Sequence, residues 1–444
     1  MKTSKYLSVG IMALAAAATA NADTVIHITG STAFRGATTA AIKNVLGANV
    51  KTAYAGTSGG AGGATYAVLQ GTVASVPAAG VVTVKCTWTG STGGIKSLVQ
   101  NIDITQTTAP NGWMSASHLT GVAAGAEAAI ASPSYALDFA GETLKPDVTM
   151  EDSLQSSTGF VTTTLTETPV GIIAFEWVAN NGSPATLNNI TPLLAQAMLS
   201  GGLPLSQFTS NPADTALPVY AMGRDFDSGT RLSCLAESGI AFRGSVTHIQ
   251  PTVSGTAGAA GSSITTIKKW PGPVTVLGET FQIGQSGFAS GGPQADNLAT
   301  PGSSTAATPA GADQVLAGPG WLVGYLGRND ASRACKTTSI AGNTAHRMKW
   351  NGVADWVEPI AANGNPASYN DAAIQEGTYT AWEYEWLAYR STYGTTSPNG
   401  KAVADKIAND IITTSASVSG IKLSTMNVGK PVEGGLVTYG NPYP

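Results

Sequence analysis

The stretch Gly223-Arg224-Asp225-Phe226-Asp227-Ser228-Gly229-Thr230 has the residue types and spacing to do chemistry on a small anion. It follows an apolar, strand-like run, Leu217–Met222, and leads into Arg231–Glu237, which can start a helix. A strand, a Ser-Gly-Thr turn and a helix start leave several backbone N–H groups without an intrahelical partner. Together with the positive end of the helix dipole, these make a place for an anion. Arg224 adds a fixed charge and fork-shaped donors suited to an oxyanion. Taken alone, such a stretch is more often an ordinary turn capped by Asp or Ser. Its weight comes from repetition.

Two similar units lie upstream. Val25–Thr29 is a short β-type run ending in Gly30-Ser31-Thr32-Ala33-Phe34, with Arg35–Leu46 a helix and Ser31 or Thr32 placed to cap it. Val81–Trp88 alternates, ends in Thr89-Gly90-Ser91-Thr92-Gly93-Gly94, and Ile95–Asn101 can begin a helix. Between them, Tyr54–Gly80 reads as a loop or weak hairpin, and Ile102–Leu144 as an insertion with a helical excursion around Val122–Ala131. Pro146–Ser153 is a short strand ending in two acids, Glu151 and Asp152, either of which can cap the next turn.

Pro169–Val178 is a strongly apolar strand and Thr191–Leu199 a helix. Beyond the third turn, Pro251–Lys268 and Gly284–Gly318 read as Gly/Ser/Ala/Pro-rich loops flanking a hairpin at Val274–Ile283. Trp321–Leu326 is a strand that turns into a short helix, and Val403–Thr413 a closing helix. The aromatic stripe Tyr379, Trp382, Tyr384, Trp386 and Tyr389 reads as core before it reads as a ligand platform. The alternation of strands and helices predicts α/β layers, with all three turns at the carboxyl ends of strands, where ligands gather.

Composition sets the context. Lys2, Lys5, the apolar Tyr6–Ala18 and Ala20-Asn21-Ala22 have the form of a cleaved export signal, so residues 1–22 are expected to be removed and the product to be periplasmic or secreted. Loss of Lys2 and Lys5 moves the formal charge from −4 to −6, a mildly acidic balance that disfavours nucleic acid. Of the three Cys, Cys234 and Cys335 are the pair expected to bridge in an oxidising compartment, leaving Cys86 over. No Cys/His spacing suggests a metal, and no cofactor is expected.

On these residues the chain resembles the periplasmic phosphate-binding proteins of ABC-type phosphate uptake systems. Gly30-Ser31-Thr32-Ala33-Phe34, Gly90-Ser91-Thr92-Gly93-Gly94 and Arg224 through Ser228-Gly229-Thr230 look like that family's three phosphate loops, in order. Asp147–Asp152 resembles the segment that supplies its buried carboxylate, and Pro169–Ala197 the entry to its second lobe. The resemblance implies a two-lobed type 2 periplasmic-binding-protein fold with the ligand cleft between lobes, here carrying long loop insertions. It divides the chain into 23–168 plus 357–444 and 169–356.

The implied ligand set is Ser31, Thr32, Ala33, Phe34, Ser91, Asp152, Arg224, Ser228, Gly229 and Thr230. Asp152 would accept a hydrogen bond from the ligand's own proton, which phosphate carries near neutral pH and sulfate lacks. The partners implied are inorganic phosphate or a related oxyanion and an inner-membrane ABC permease, with the protein a monomer and not an enzyme.

The chain departs from the family in three places. Arg35 replaces a common Pro and either adds a second cation or points to solvent; Asp225 can brace Arg224 while Asp227 is solvated; and Glu151 competes with Asp152 as acceptor. Two other classes compete: a surface or matrix protein that kept the fold without transport, and, last, an exported hydrolase using Ser228 or Ser91. Neither serine lies in a Gly-x-Ser-x-Gly context or near a His in sequence.

Overall fold

The computed structural model describes residues 23–56, 60–104, 112–131, 137–138, 144–161, 164–241, 244–276, 278–302, 320–336 and 345–440. The export signal expected at residues 1–22 lies outside them. Besides the two-residue strands Asn189–Ile190 and Leu203–Pro204, the strands of the main sheet are β1 (Thr24–Gly30), β2 (Lys51–Ala55), β3 (Tyr66–Thr72), β4 (Val81–Thr87), β5 (Glu127–Ala129), β6 (Val148–Glu151), β7 (Leu165–Ala179), β8 (Pro218–Met222), β9 (Trp321–Gly327), β10 (His346–Trp350) and β11 (Trp382–Arg390). They run in the order β8-β9-β7-β11-β6-β1-β4-β3-β2-β5, with β10 also on β7. The α/β class expected from the alternation is the class observed.

Strand β7 joins the two halves of this sheet. Its residues Leu165–Ala174 pair antiparallel with β11, and Phe175–Ala179 pair antiparallel with β9. On one side β1 is flanked by parallel β4 and β6; on the other β8 is parallel to β9. The carboxyl ends of β1, β4, β6 and β8 each lead into one of the segments singled out above. Three of them feed helices: α1 (Arg35–Leu46), α2 (Ser91–Gln100) and α3 (Gly229–Glu237). Helices α4 (Gly291–Ala299) and α5 (Arg328–Cys335) cover the second half.

The core is continuous through both halves and includes Ile26, Ile28, Phe34, Phe175, Trp177 and Tyr325. The aromatic stripe is buried on β11 and just before it, as core. Phe34 is also wholly buried: a Cβ on Gly171 of β7 would stand 2.7 Å from Phe34 Cζ, so the ring needs that glycine.

Several local expectations fail where composition hides pairing. Of the loop or weak hairpin expected at 54–80, it is the hairpin pairing that forms, and more fully than expected: Tyr66–Thr72 is a full strand antiparallel to both β2 and β4. No helix forms at 122–131; Glu127–Ala129 instead runs parallel to β2, because an open sheet edge satisfies its backbone better than a short isolated helix. Within the expected loop at 251–268, Ile249–Ser254 and Ser263–Lys269 pair as a hairpin. Within 284–318, Gly291–Ala299 is helical, and residues 303–318 lie outside the described ones. The hairpin expected near 274–283 is present, Val274–Val276 pairing with Glu279–Phe281.

The disulfide expectation is overturned. Cys86, Cys234 and Cys335 are all free and buried, with Cys234 in the core cluster of the main sheet and Cys335 in the separate cluster under α4 and α5. Burial pushes all three thiols above their ordinary pKa, so they behave as small apolar side chains.

Candidate functional site

The strand ends place the predicted segments together. Asp152, one residue past β6, is buried and is the meeting point of α2 and α3. Ser91, first residue of α2, donates its hydroxyl to Asp152 Oδ1 and accepts the Asp152 N–H at 2.8 Å. From α3, Thr230 Oγ1 donates to Asp152 Oδ2 at 3.1 Å and Ser233 Oγ donates to the Asp152 carbonyl at 3.1 Å. Gly229 lies directly against the carboxylate. Burial pushes the Asp152 carboxyl above its ordinary pKa, while the Ser91 and Thr230 hydroxyls and the charge of Arg224 pull it back. Both its oxygens accept hydrogen bonds, the pattern of a carboxylate.

Strand alternation settles the choice between the two acids. Glu151 is the last residue of β6, so its side chain leaves the opposite face from Asp152. Burial and nearby Glu167 hold the Glu151 carboxyl well above the usual range. Asp152, not Glu151, faces the loops.

Arg224 is 2% exposed. Its Nε donates to the Phe288 carbonyl at 3.0 Å, and one terminal nitrogen donates to the Ala289 carbonyl at 2.9 Å and to Thr32 Oγ1 at 3.3 Å. All these partners are neutral; among the described residues no carboxylate forms an ion pair with Arg224. Asp225 Oδ1 accepts the Asp227 N–H at 3.2 Å, and its charge is felt by Arg231. The loop around Arg224 is held tightly. A Cβ on Gly223 would stand 2.2 Å from His248 Nε2. The Arg224 N–H donates to the Tyr325 hydroxyl at 3.2 Å, and that hydroxyl lies 3.3 Å from His248 Nε2. Burial and the charge of Arg231 hold His248 well below its usual pKa, so it is a neutral structural ring.

The first and second turns meet this assembly differently. Ser31 donates its N–H to the Met150 carbonyl at 2.8 Å and accepts the Phe34 N–H at 3.2 Å, so it shapes the turn although Phe34 is the residue at the cap position of α1. Ala33 packs on Gly327, where a Cβ would stand 3.3 Å from the Ala33 Cβ. At the second turn Gly90 has φ +93°, and a Cβ there would meet the Asp227 carbonyl oxygen at 2.3 Å. That carbonyl accepts from the amides of Thr92 (3.0 Å) and Gly93 (3.4 Å), so the third turn itself caps α2. Ser228 caps α3, accepting the Arg231 N–H at 3.2 Å.

Two expectations change. Asp227 is buried rather than solvated; burial and Asp225 hold its carboxyl well above the usual range, against Lys96 and Arg224. Arg35 is buried too and does not point to solvent. Arg231 is a functional candidate that sequence reasoning passed over. Its guanidinium donates to the Arg224 carbonyl at 2.9 Å and the Gln285 carbonyl at 2.7 Å, fixing the backbone that carries Arg224. A signal was available: a cation in the first turn of a helix opposes the dipole and asks for a reason.

A cavity of about 450 Å³ opens beside this assembly. It shares Thr32 and Ala33 with it, and its far wall comes from α5 and Asn363. Ser91, Asp152, Arg224 and Ser228–Thr230 do not line it. Among the described residues no group of three or more His, Cys, Asp or Glu could hold a metal ion, and no helix is long and apolar enough to cross a membrane.

No protein-family profile and no curated protein matches the chain. Among solved structures it is similar to a putative phosphate ABC transporter substrate-binding protein with bound phosphate from Clostridium perfringens, at 12% identity over 90% of this chain and 99% of that one, TM-score 0.44. It is similar also to an ABC-type phosphate transport receptor from Vibrio cholerae, at 11% identity over 88% and 98%, TM-score 0.40. An OxyR mutant from Corynebacterium glutamicum is similar at 8% identity over 90% and 69%, TM-score 0.34. Phosphate-binding proteins are thus among its structural neighbours. Scores at this level leave the ligand to be argued from the side chains.

Proposed function

We propose that this is an exported substrate-binding protein that captures phosphate, or a similar protonated oxyanion, between two lobes and delivers it to an ABC permease. The observation that carries the reading is the buried guanidinium of Arg224, whose hydrogen-bond acceptors among the described residues are all neutral and whose charge acts on buried Asp152. A buried cation without a carboxylate is costly, and an oxyanion offsets that cost. Arg224 pairs with the anion; Thr32, Ala33 and Phe34 of the first turn, Ser91 of the second, and Ser228, Gly229 and Thr230 of the third supply hydroxyls and amides. Ser31 shapes the first turn. Asp152 accepts a hydrogen bond from the proton that phosphate carries, which separates it from sulfate.

The lobes are residues 23–168 plus 357–444 and residues 169–356, closing as a monomer by the hinge motion such folds use. One observation favours the surface- or matrix-protein alternative: the Asp227 carbonyl already takes two amides of the second turn, so the turns hold one another by protein contacts alone. Equilibrium dialysis of the purified mature protein against radiolabelled phosphate separates the two. Saturable retention of one phosphate per chain supports the receptor; no retention supports the alternative.

A further inference from the structure

We infer that the anion site continues into the neighbouring cavity, and that Arg35 there receives a second anionic group on the same ligand. The preferred ligand is then a phosphate bearing another anionic group, such as diphosphate or an acidic phosphomonoester, rather than orthophosphate alone. This rests on the oxyanion reading of the Arg224 site.

Arg35 is the first residue of α1, is 7% exposed and lines the cavity. Among the described residues it makes no hydrogen bond and no ion pair. The comparison with α5 is informative, because α5 also begins with an arginine. Arg328 there is held by Asp355 at 2.9 Å and Asp371 at 2.6 Å, which answers both its burial and the unfavourable dipole. Arg35 has the same burial and the same dipole and no such answer.

Of the cavity's other charges, Arg333 and Lys336 are cations, and Arg333 is engaged by both oxygens of Asp296, at 2.7 and 2.6 Å. The Asp330 carboxylate acts on Arg35 by its charge but forms no ion pair or hydrogen bond with it among the described residues; its Oδ2 lies against the first residue of α4, where a Cβ on Gly291 would stand 2.0 Å from it. Burial disfavours the charged form of Arg35, and the like charges of Arg224 and Arg333 add to that.

Thr32 connects the two places. It accepts from Arg224 on one side and lines the cavity on the other. A ligand with its phosphate on Arg224 and a second anion on Arg35 neutralises two buried cations that otherwise repel each other. The remaining walls include Asn329, Ser332 and Asn363, which offer hydrogen bonds to a charged and hydrated substituent.

The test is calorimetric titration of the full mature chain with orthophosphate, diphosphate, 3-phosphoglycerate and glycerol 3-phosphate, for the natural protein and Arg35→Gln. Diphosphate or 3-phosphoglycerate should bind at least tenfold tighter than orthophosphate, with no such gain for glycerol 3-phosphate, whose extension is uncharged. Arg35→Gln should abolish that gain and leave orthophosphate within about threefold. Equal affinity for all four ligands, or a preference that survives Arg35→Gln, overturns the inference while leaving the oxyanion site standing. Failure of every ligand to bind overturns both. Should Arg35→Gln not fold, the ranking of the four ligands on the natural protein still decides.

Discussion

Gly229 and Asp152 come from different halves of the sheet and touch so closely that a Cβ on Gly229 would stand 1.9 Å from Asp152 Oδ1. Gly229→Ala must therefore push the carboxylate away from Ser91 and Thr230 or part α3 from α2. Overpacking of this kind costs about 1–3 kcal/mol. Urea unfolding should show a loss in that range, and phosphate affinity should fall with it. A variant of unchanged stability and affinity would mean that the contact is not formed.

Asp152→Asn keeps the shape and replaces one acceptor oxygen with an amide donor. Phosphate should bind at least tenfold more weakly, and sulfate, which the natural protein should exclude, should begin to bind. Competition between the two anions checks this. Continued exclusion of sulfate would remove Asp152 from the selectivity.

Glu151 and Glu385 are two buried acids close to Asp152. Burial holds both well above the ordinary carboxyl value; for Glu151 the charges of Glu167 and then Asp152 add to it, and for Glu385 those of Asp152 and Glu151. Groups raised in this way contribute stability that is fully present below about pH 4.5 and is lost as pH rises through their folded values. Thermal melts should fall progressively over that window, and Glu385→Gln should flatten the fall, matching the natural protein at low pH and exceeding it at high pH. A parallel profile for the variant would contradict this.

Lys430 is buried among Glu237 of α3, Glu383 of β11 and the carbonyls of Thr380 and Trp382, both at 2.6 Å. It ties the C-terminal segment to the helix that carries the third turn. Lys430→Met leaves two buried acids without their cation and should destabilise by about 3–5 kcal/mol in denaturant unfolding. A loss below about 1 kcal/mol would show that the acids are neutral without it.

What the sequence made legible was local. Strand, turn and helix succeed one another within about fifteen residues at Gly30, Gly90 and Gly223, and capping chemistry and hydrophobic runs mark each one. Asp152 and Arg224 were legible through the resemblance. The unread parts depend on distant partners. Tyr66–Thr72 is a strand because β2 and β4 lie on either side, and Glu127–Ala129 because β2 offers an edge. Glu151 and Asp152 are separated by the register of β6, which pairing fixes. The burial of Arg35 and Asp227 arises where chain segments more than a hundred residues apart meet, and no local pattern announces it.

The central claim is that Arg224 holds an oxyanion. Calorimetric titration of the ligand-stripped mature protein with phosphate and then sulfate near neutral pH, alongside Arg224→Ala, tests it most directly. Truncating a buried charge that pairs with a ligand costs about 2–5 kcal/mol, so affinity should fall at least thirtyfold. The account predicts tight phosphate binding, no heat with sulfate, and loss of phosphate binding in Arg224→Ala. No heat with either anion, or phosphate binding that survives Arg224→Ala unchanged, would contradict it.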